Sequence, residues 1–180
     1  MGIEGAVRAS SSRMTTIGPT LIQLLPRLRR YAVALCRVGD VADDLVQTAC
    51  ERALAGAAGI RAELPLDVWM FRIVRNLWYD RLRRLRTRGE EIDITTRDDL
   101  VAVDGERDPE RRLLLRRVME AIDRLPEDQR ELILLVCVED VSYRDAAAAL
   151  DLPIGTVMSR LARGRKRIAD ELGIESGRLL

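Results

Sequence analysis

Five side chains between Thr156 and Arg167 carry the chemistry this chain has to offer. At about 100° per residue, Thr156, Ser159, Arg160, Arg163 and Arg167 share one face of a helix. An apolar stripe of Val157, Leu161, Ile168 and Leu172 lies roughly a third of a turn away. From Gly155 to Ile168 there are five basic residues and no acidic one. Guanidinium groups bind phosphate oxygens and short hydroxyl side chains reach base edges, so this face suits a DNA major groove. A solvated basic face on a helical hairpin has the same pattern. The preceding residues favour the DNA reading. Ser142 with Asp145 three residues on resembles a capping box, and Arg144 to Leu150 is alanine-rich. Asp151-Leu152-Pro153 then breaks the helix, and a second one starts near Gly155 and Thr156. A short helix, a break and a longer basic helix make a helix-turn-helix.

A second candidate surface lies on the helix predicted from Val68 to about Arg88, with Asp67 as its cap. Met70, Ile73, Val74, Leu77 and Leu85 share one side, and Arg72, Arg75, Asn76, Tyr79, Arg83 and Arg86 the other. Between Trp69 and Arg88 seven arginines face one aspartate, and like charges so gathered repel unless an anion joins them. Trp69, Phe71, Trp78 and Tyr79 are interleaved with these cations. Rings beside a basic groove stack on exposed bases of single strands at about 1–3 kcal/mol per base. Trp69, Phe71 and Trp78 read equally as core.

The elements that hold these faces are all helical. Leu21, Leu24, Leu25, Leu28, Ala32 and Leu35 recur at helical spacing. After Gly39-Asp40 a second helix runs from Val41 to about Ala55, with Ala42, Leu45, Val46, Ala49 and Ala53 apolar. Asp40, Asp43 and Asp44 stand at its start, where the helix dipole favours negative charge. Residues 56–67 read as a loop, with two glycines and a proline. Residues 89–110 hold nine acids and two arginines with no helical period, the composition of a flexible linker. Extended, that linker reaches about 70 Å, about two turns of duplex at about 34 Å each. Asp108-Pro109-Glu110 starts another helix, with Leu114, Val118, Ile122 and Leu125 inward. Pro126 opens the next, with Leu132, Ile133, Leu135 and Val136 apolar. The expected fold is all-α: two small helical domains joined by a flexible acidic linker, the C-terminal one a helix-turn-helix. The expected boundaries are a flexible tail over 1–16, domains over 17–88 and 111–173, the linker over 89–110, and a tail over 174–180.

Two motifs, in order along the chain, give it a family resemblance. Tyr143, Ala147, Leu150, Pro153, Gly155-Thr156-Val157, Ser159-Arg160-Leu161, Arg163 and Arg165 resemble the C-terminal DNA-binding domain of extracytoplasmic-function sigma factors of bacterial RNA polymerase. The first half resembles their N-terminal domain through Asp44-Leu45-Val46-Gln47, the run Trp69 to Asn76, Asp80 and Arg83-Arg84. The resemblance implies that Asp43, Asp44, Leu45, Val46 and Gln47 face core polymerase. It assigns Arg61, Asp67, Trp69, Arg72, Arg75, Asn76, Tyr79 and Arg83 to the −10 element, where the loop before Trp69 captures a flipped base and Asn76 lies beside the pocket. It assigns Thr156, Ser159, Arg160, Arg163 and Arg167 to the −35 element. It further implies an anti-sigma factor as partner, and a linker threading the polymerase near the RNA exit path; a solvated spacer is the other reading of the linker. The loop lacks the aromatics common in the family, Ala146 replaces a frequent Ile, and Asp151 replaces a frequent Gly. That last position suits a left-handed residue, which Asp tolerates better than most.

Composition sets bounds on other functions. There is no histidine, the commonest general base and metal ligand. Cys36, Cys50 and Cys137 match no zinc spacing and read as small buried hydrophobes. No metal or cofactor is expected. No run of 18 apolar residues is present and the N-terminus lacks a signal-peptide hydrophobic stretch, so a cytoplasmic chain without membrane insertion is expected. The Ser10–Ser12 cluster has no nearby base, so an enzyme is not expected. The competing function is a stand-alone helix-turn-helix regulator.

Overall fold

A computed structural model describes residues 3–56, 64–89 and 109–174, with side chains from residue 17 onward. The loop through Arg61, the acidic segment with Asp108 and the C-terminal tail from residue 175 lie outside the described residues. The chain divides into two compact units, Met1–Arg97 and Asp98–Leu180. All regular structure among the described residues is helical.

The first unit holds α1 (Ile3–Cys36), α2 (Gly39–Leu54) and α3 (Leu66–Arg88). In α1, Leu21, Leu24, Leu28, Ala32 and Leu35 are buried, and Tyr31 is buried with them. Leu25, expected inward, is exposed because it lies on the far edge of a stripe covered on the Leu24 and Tyr31 side. The helix begins well before its apolar stripe, passing through residues 3–16 and through Pro19 and Pro26. Proline withholds a donor from the carbonyl four residues earlier. For Pro26 that carbonyl belongs to Ile22, which stands on the solvent face. The turn into α2 is made by Arg37 in the left-handed region, at φ 67°, and Gly39 is already helical. All five apolar positions expected in α2 are buried.

The first three turns of α3 are buried on nearly every side. Met70, Ile73, Val74 and Leu77 pack inward as their spacing predicts, but Val68, Trp69, Phe71 and Trp78 are buried too. The Tyr31 and Phe71 rings meet at 5.0 Å between centroids, joining α1 to α3. A helix buried all round shows no clean amphipathic pattern. Beyond Asp80 it emerges from the core; Leu85 is half-buried and Arg83, Arg84, Arg86 and Arg88 are exposed. Gly89, left-handed at φ 70°, ends it. Asp67 is not the cap. The helix starts one residue earlier, and Asp67 stands in the first turn.

The second unit comprises α4 (Pro109–Asp123), α5 (Glu127–Ile133) continuing through a π-helical turn (Leu134–Val138), α6 (Tyr143–Leu150) and α7 (Ile154–Leu172). Only the C-terminal end of α4 reaches the core: Ala121 and Ile122 are buried and Val118 half-buried. Leu114, expected inward, is 56% exposed on turns that project past the core. The π turn carries a second correction. Glu139 donates its N–H to the Leu134 carbonyl five residues back, at 3.0 Å. This wider ladder turns the following side chains away from their α-helical positions. Cys137 follows buried Ile133 by four residues, yet it is exposed, and Val136 is only half-buried. Cys36 is buried as expected and Cys50 partly so.

Candidate nucleic-acid interface

The start of α6 is built as its sequence suggests. The Ser142 hydroxyl accepts from the Asp145 N–H at 3.1 Å and donates to the Asp145 carboxylate at 2.6 Å. Asp151 ends the helix in the left-handed region at φ 53°, and the Leu152 N–H reaches back to the Ala147 carbonyl at 2.9 Å. Pro153 then opens α7, which begins at Ile154, slightly before the expected start.

The inner side of α7 is fixed by Val157, Leu161, Gly164, Ile168 and Ala169, all buried, with Leu172 half-buried. Gly164 is a packing residue that a hydrophobic stripe cannot reveal. A methyl group there would stand 3.1 Å from Ile133 Cγ1 and 3.6 Å from Gln129 Cβ, so its missing side chain lets α7 approach α5 closely. Arg165 braces α7 against α6. Its guanidinium donates to the Tyr143 hydroxyl at 2.9 Å and reaches Cys137 Sγ at 3.5 Å.

The five residues expected on the DNA-facing side divide. Ser159, Arg163 and Arg167 are exposed, and Arg163 and Arg167 have no acidic partner among the described residues. Ser159 donates to the Thr156 carbonyl at 3.1 Å, and Thr156 is half-buried. Arg160 is turned sideways: its side chain is 28% exposed, and Nε lies 3.1 Å from Asp128 Oδ2 in the first turn of α5. Two apolar residues outside the predicted set are also exposed, on the first two turns of α7. Ile154 and Met158 are 47% and 49% exposed. Division of the helix into an apolar inside and a basic outside hides them, since apolar residues are assigned to the inside.

On α3, Arg75, Asn76, Tyr79, Asp80 and Arg83 line one depression. The Arg75 guanidinium lies 4.8 Å from the Tyr79 ring centroid and donates to the Asn76 side-chain oxygen at 3.3 Å. Such stacking holds a cation in place without neutralising it. Arg83 pairs with Asp80 at 3.4 Å. A second depression adjoins through Asp80 and Arg83 and adds Arg52, Arg84, Thr87 and Arg88. Arg72 is half-buried. Trp69, expected at the −10 surface, is 3% exposed and belongs to the core. Asp67 is tied to Arg27 at 3.1 Å and accepts the Val68 N–H at 2.9 Å, so it links the start of α3 to α1. Arg61 lies outside the described residues.

The acidic start of α2 likewise separates into surface and core. Asp43 and Asp44 are exposed, with Arg29 at 2.8 Å from Asp43 and Arg81 at 3.8 Å from Asp44. Gln47 is exposed and donates to Glu51 at 3.0 Å. Leu45 and Val46, expected on the same surface, are buried under α1 and α3 and can only hold it in shape. No three acidic, cysteine or histidine side chains among the described residues stand together as a metal site. No helix among them is long and apolar enough to cross a membrane.

Comparison with known proteins follows the same two-part division. Residues 115–168 match the family described as Sigma-70, region 4, and residues 21–75 match the Sigma2 domain of PhyR. The chain is 34% identical over 155 residues to the ECF RNA polymerase sigma factor EcfG of Rhodopseudomonas palustris, covering 86% of this chain and 84% of that one. It is 34% identical over 147 residues to the ECF sigma factor SigM of Mycobacterium tuberculosis, covering 82% and 72%. Among solved structures it resembles the sigma factor RpoE of Bartonella quintana, crystallised with the anti-sigma factor NepR. The TM-score is 0.70 at 33% identity, over 89% of this chain and 98% of that one. The match spans both halves, which a stand-alone helix-turn-helix regulator does not require. The chain therefore belongs to the extracytoplasmic-function sigma factors, the subunits that bring RNA polymerase to its promoters.

Proposed function

We propose that this sigma factor reads its promoters with two surfaces. The outward side of α7, through Thr156, Ser159, Arg163 and Arg167, takes the −35 element, and Arg160 keeps that helix in register. The depression of Arg75, Asn76, Tyr79 and Arg83 on α3, with Arg72 and the loop through Arg61, takes the −10 element as it melts. Asp67 holds the end of that loop through Arg27. Asp43, Asp44 and Gln47 meet core polymerase. The observation that carries the reading is α7 itself: its inner side is locked by packing while Arg163 and Arg167 project without an acidic partner among the described residues. Phosphate contacts supply salt-dependent affinity and a few side chains select the sequence. The chain breaks no bond of its own and works in the cytoplasm, where polymerase and genome are.

The Bartonella relative is held by an anti-sigma factor. A protein of that kind, covering the polymerase-facing and DNA-facing surfaces, is the corresponding partner here. The test is run-off transcription with core polymerase on a genomic fragment library. Defined start sites sharing two upstream elements are expected. Arg163→Ala should alter the −35 preference, and Asn76→Ala should impair −10 choice or opening. Failure of the chain to direct core polymerase, or identical start-site profiles for wild type and both variants, would overturn the assignments.

A further inference from the structure

The depression at the far end of α3 holds charge that the −10 reading leaves unused. Arg52, from the last turn of α2, and Asp80, Arg83, Arg84, Thr87 and Arg88 of α3 surround about 530 Å³. Arg52, Arg84 and Arg88 are exposed and make no ion pair with any described residue. The single acid, Asp80, faces Arg83 at 3.4 Å. Arg84 is held at its base, where Nε donates to the Asp80 carbonyl at 3.2 Å, and its two terminal nitrogens have no partner among the described residues. The Thr87 hydroxyl donates to the Arg83 carbonyl at 2.9 Å, so its proton is engaged.

Cations complement the negative end of a helix, and Arg52 and Arg88 stand in the last turns of α2 and α3. That accounts for part of the cluster. Each helix end is worth about half a negative charge, so the two together offset about one. Four arginines against one aspartate leave a surplus of three positive charges. About two therefore remain unanswered. Gathered in one depression, they repel one another until an anion joins them. Guanidinium groups bind phosphate oxygens through paired N–H donors. A single carboxylate carries too little charge to answer the surplus. Donors from two separate helices suit a ligand with more than one phosphate, since one group can reach Arg52 while the next reaches Arg84 and Arg88.

We propose that Arg52, Arg84 and Arg88 form a binding site for two neighbouring phosphate groups, bridging the ends of α2 and α3. This chemistry has two sources: a DNA strand continuing past Arg83 from the −10 depression, or a free polyphosphate. Only the first source rests on the −10 reading proposed above.

Two arms of one experiment separate the sources. In the first, inorganic triphosphate is titrated into the full chain at constant ionic strength, without polymerase or DNA, and binding is followed by calorimetry. Saturable binding is expected. Arg52→Gln and Arg88→Gln should each weaken it about tenfold, the loss of one charge-assisted hydrogen bond. Arg117→Gln, at an exposed arginine of α4, should leave it unchanged. In the second arm, core polymerase reconstituted with the full chain acts on a promoter recovered from the library. Single neutral methylphosphonate linkages are placed across the −10 element and the strand upstream of it. One linkage should lower the open-complex yield of the wild type and leave that of Arg52→Gln unaffected. The replaced arginines are exposed, so all variants should melt at the wild-type temperature. A linkage effect that depends on Arg52, without triphosphate binding, assigns the site to DNA. Triphosphate binding without a linkage effect assigns it to a free polyphosphate, and both results together mean that the two compete for one site. Neither effect, or effects equal in wild type and Arg52→Gln, would overturn the inference. A wild-type chain that forms no open complex removes the −10 reading, and the triphosphate arm then decides the inference alone.

Discussion

Asp128 and Arg160 join the first turn of α5 to the middle of α7, with Oδ2 and Nε 3.1 Å apart. Both side chains are partly exposed, so the pair is screened and contributes about 0.5–1 kcal/mol. Arg160→Ala should lower the melting temperature of the protein by about 2–4 °C. Asp128→Ala should do the same, and the double variant should lose less than the two single losses added together. Thermal denaturation of the three variants measures the coupling. Strict additivity would mean that the pair contributes nothing to stability.

Arg163 and Arg167 should behave in the opposite way. Neither has an acidic partner among the described residues, so replacing either by Ala should leave the melting temperature within about 1 °C of wild type. Upstream promoter binding by the holoenzyme should weaken. Its dependence on salt should become shallower by about one unit of logarithmic slope for each phosphate that is no longer neutralised. A salt titration of promoter binding reads this directly.

Gly164 permits the close approach of α7 to α5. Replacement by Ala gains about 1 kcal/mol of helix propensity, against the shift that a Cβ only 3.1 Å from Ile133 Cγ1 forces. These effects are comparable, so Gly164→Ala should be near neutral. Gly164→Val adds two methyl groups in the same space and should destabilise the protein by about 1–3 kcal/mol. Chemical denaturation of both variants tests the ordering. A Val variant as stable as the Ala variant would show that α5 and α7 leave more room between them than this geometry allows.

Helices that bury a single side are the ones whose sequence is legible. Ala42, Leu45, Val46, Ala49 and Ala53 repeat cleanly on α2 for that reason. Trp69 and Phe71 are ambiguous because the start of α3 is enclosed by its neighbours, and periodicity loses its meaning there. Cys137 departs from the buried position its spacing suggests because a π turn shifts the helical period, and nothing in LLVCV announces one. Leu114 has the spacing of a core residue, but spacing does not tell how far a helix projects beyond its core. The pairing of Arg160 with Asp128 joins residues 32 positions apart in the chain, beyond any local pattern. Ser142 and Asp151 are readable because caps and helix ends are local chemistry.

Asp44 stands at the proposed polymerase surface, and its pairing with Arg81 is long and exposed. Such a pair contributes little to folding. Asp44→Arg should therefore keep the melting temperature within about 1 °C of wild type while weakening the affinity for core polymerase, through reversed charge at the interface. Competition for core polymerase between labelled wild type and unlabelled variant measures the loss. Unchanged competition would remove Asp44 from that surface.

The three cysteines should react in the order of their surroundings. Cys137 is exposed, Cys50 is partly buried and Cys36 is buried with its thiol donating to the Val38 carbonyl at 3.2 Å. Burial, and then the neighbouring Glu51 carboxylate, push the Cys50 thiol above its ordinary value. The thiolate is the reactive form, so a raised pKa means that alkylation of Cys50 accelerates only at higher pH than for an unperturbed thiol. With iodoacetamide at neutral pH, mass spectrometry should find Cys137 modified first, Cys50 more slowly, and Cys36 only after denaturation. Raising the pH should speed modification of Cys50 without exposing Cys36. Early labelling of Cys36 in the native protein would mean that the end of α1 opens far more readily than its burial implies.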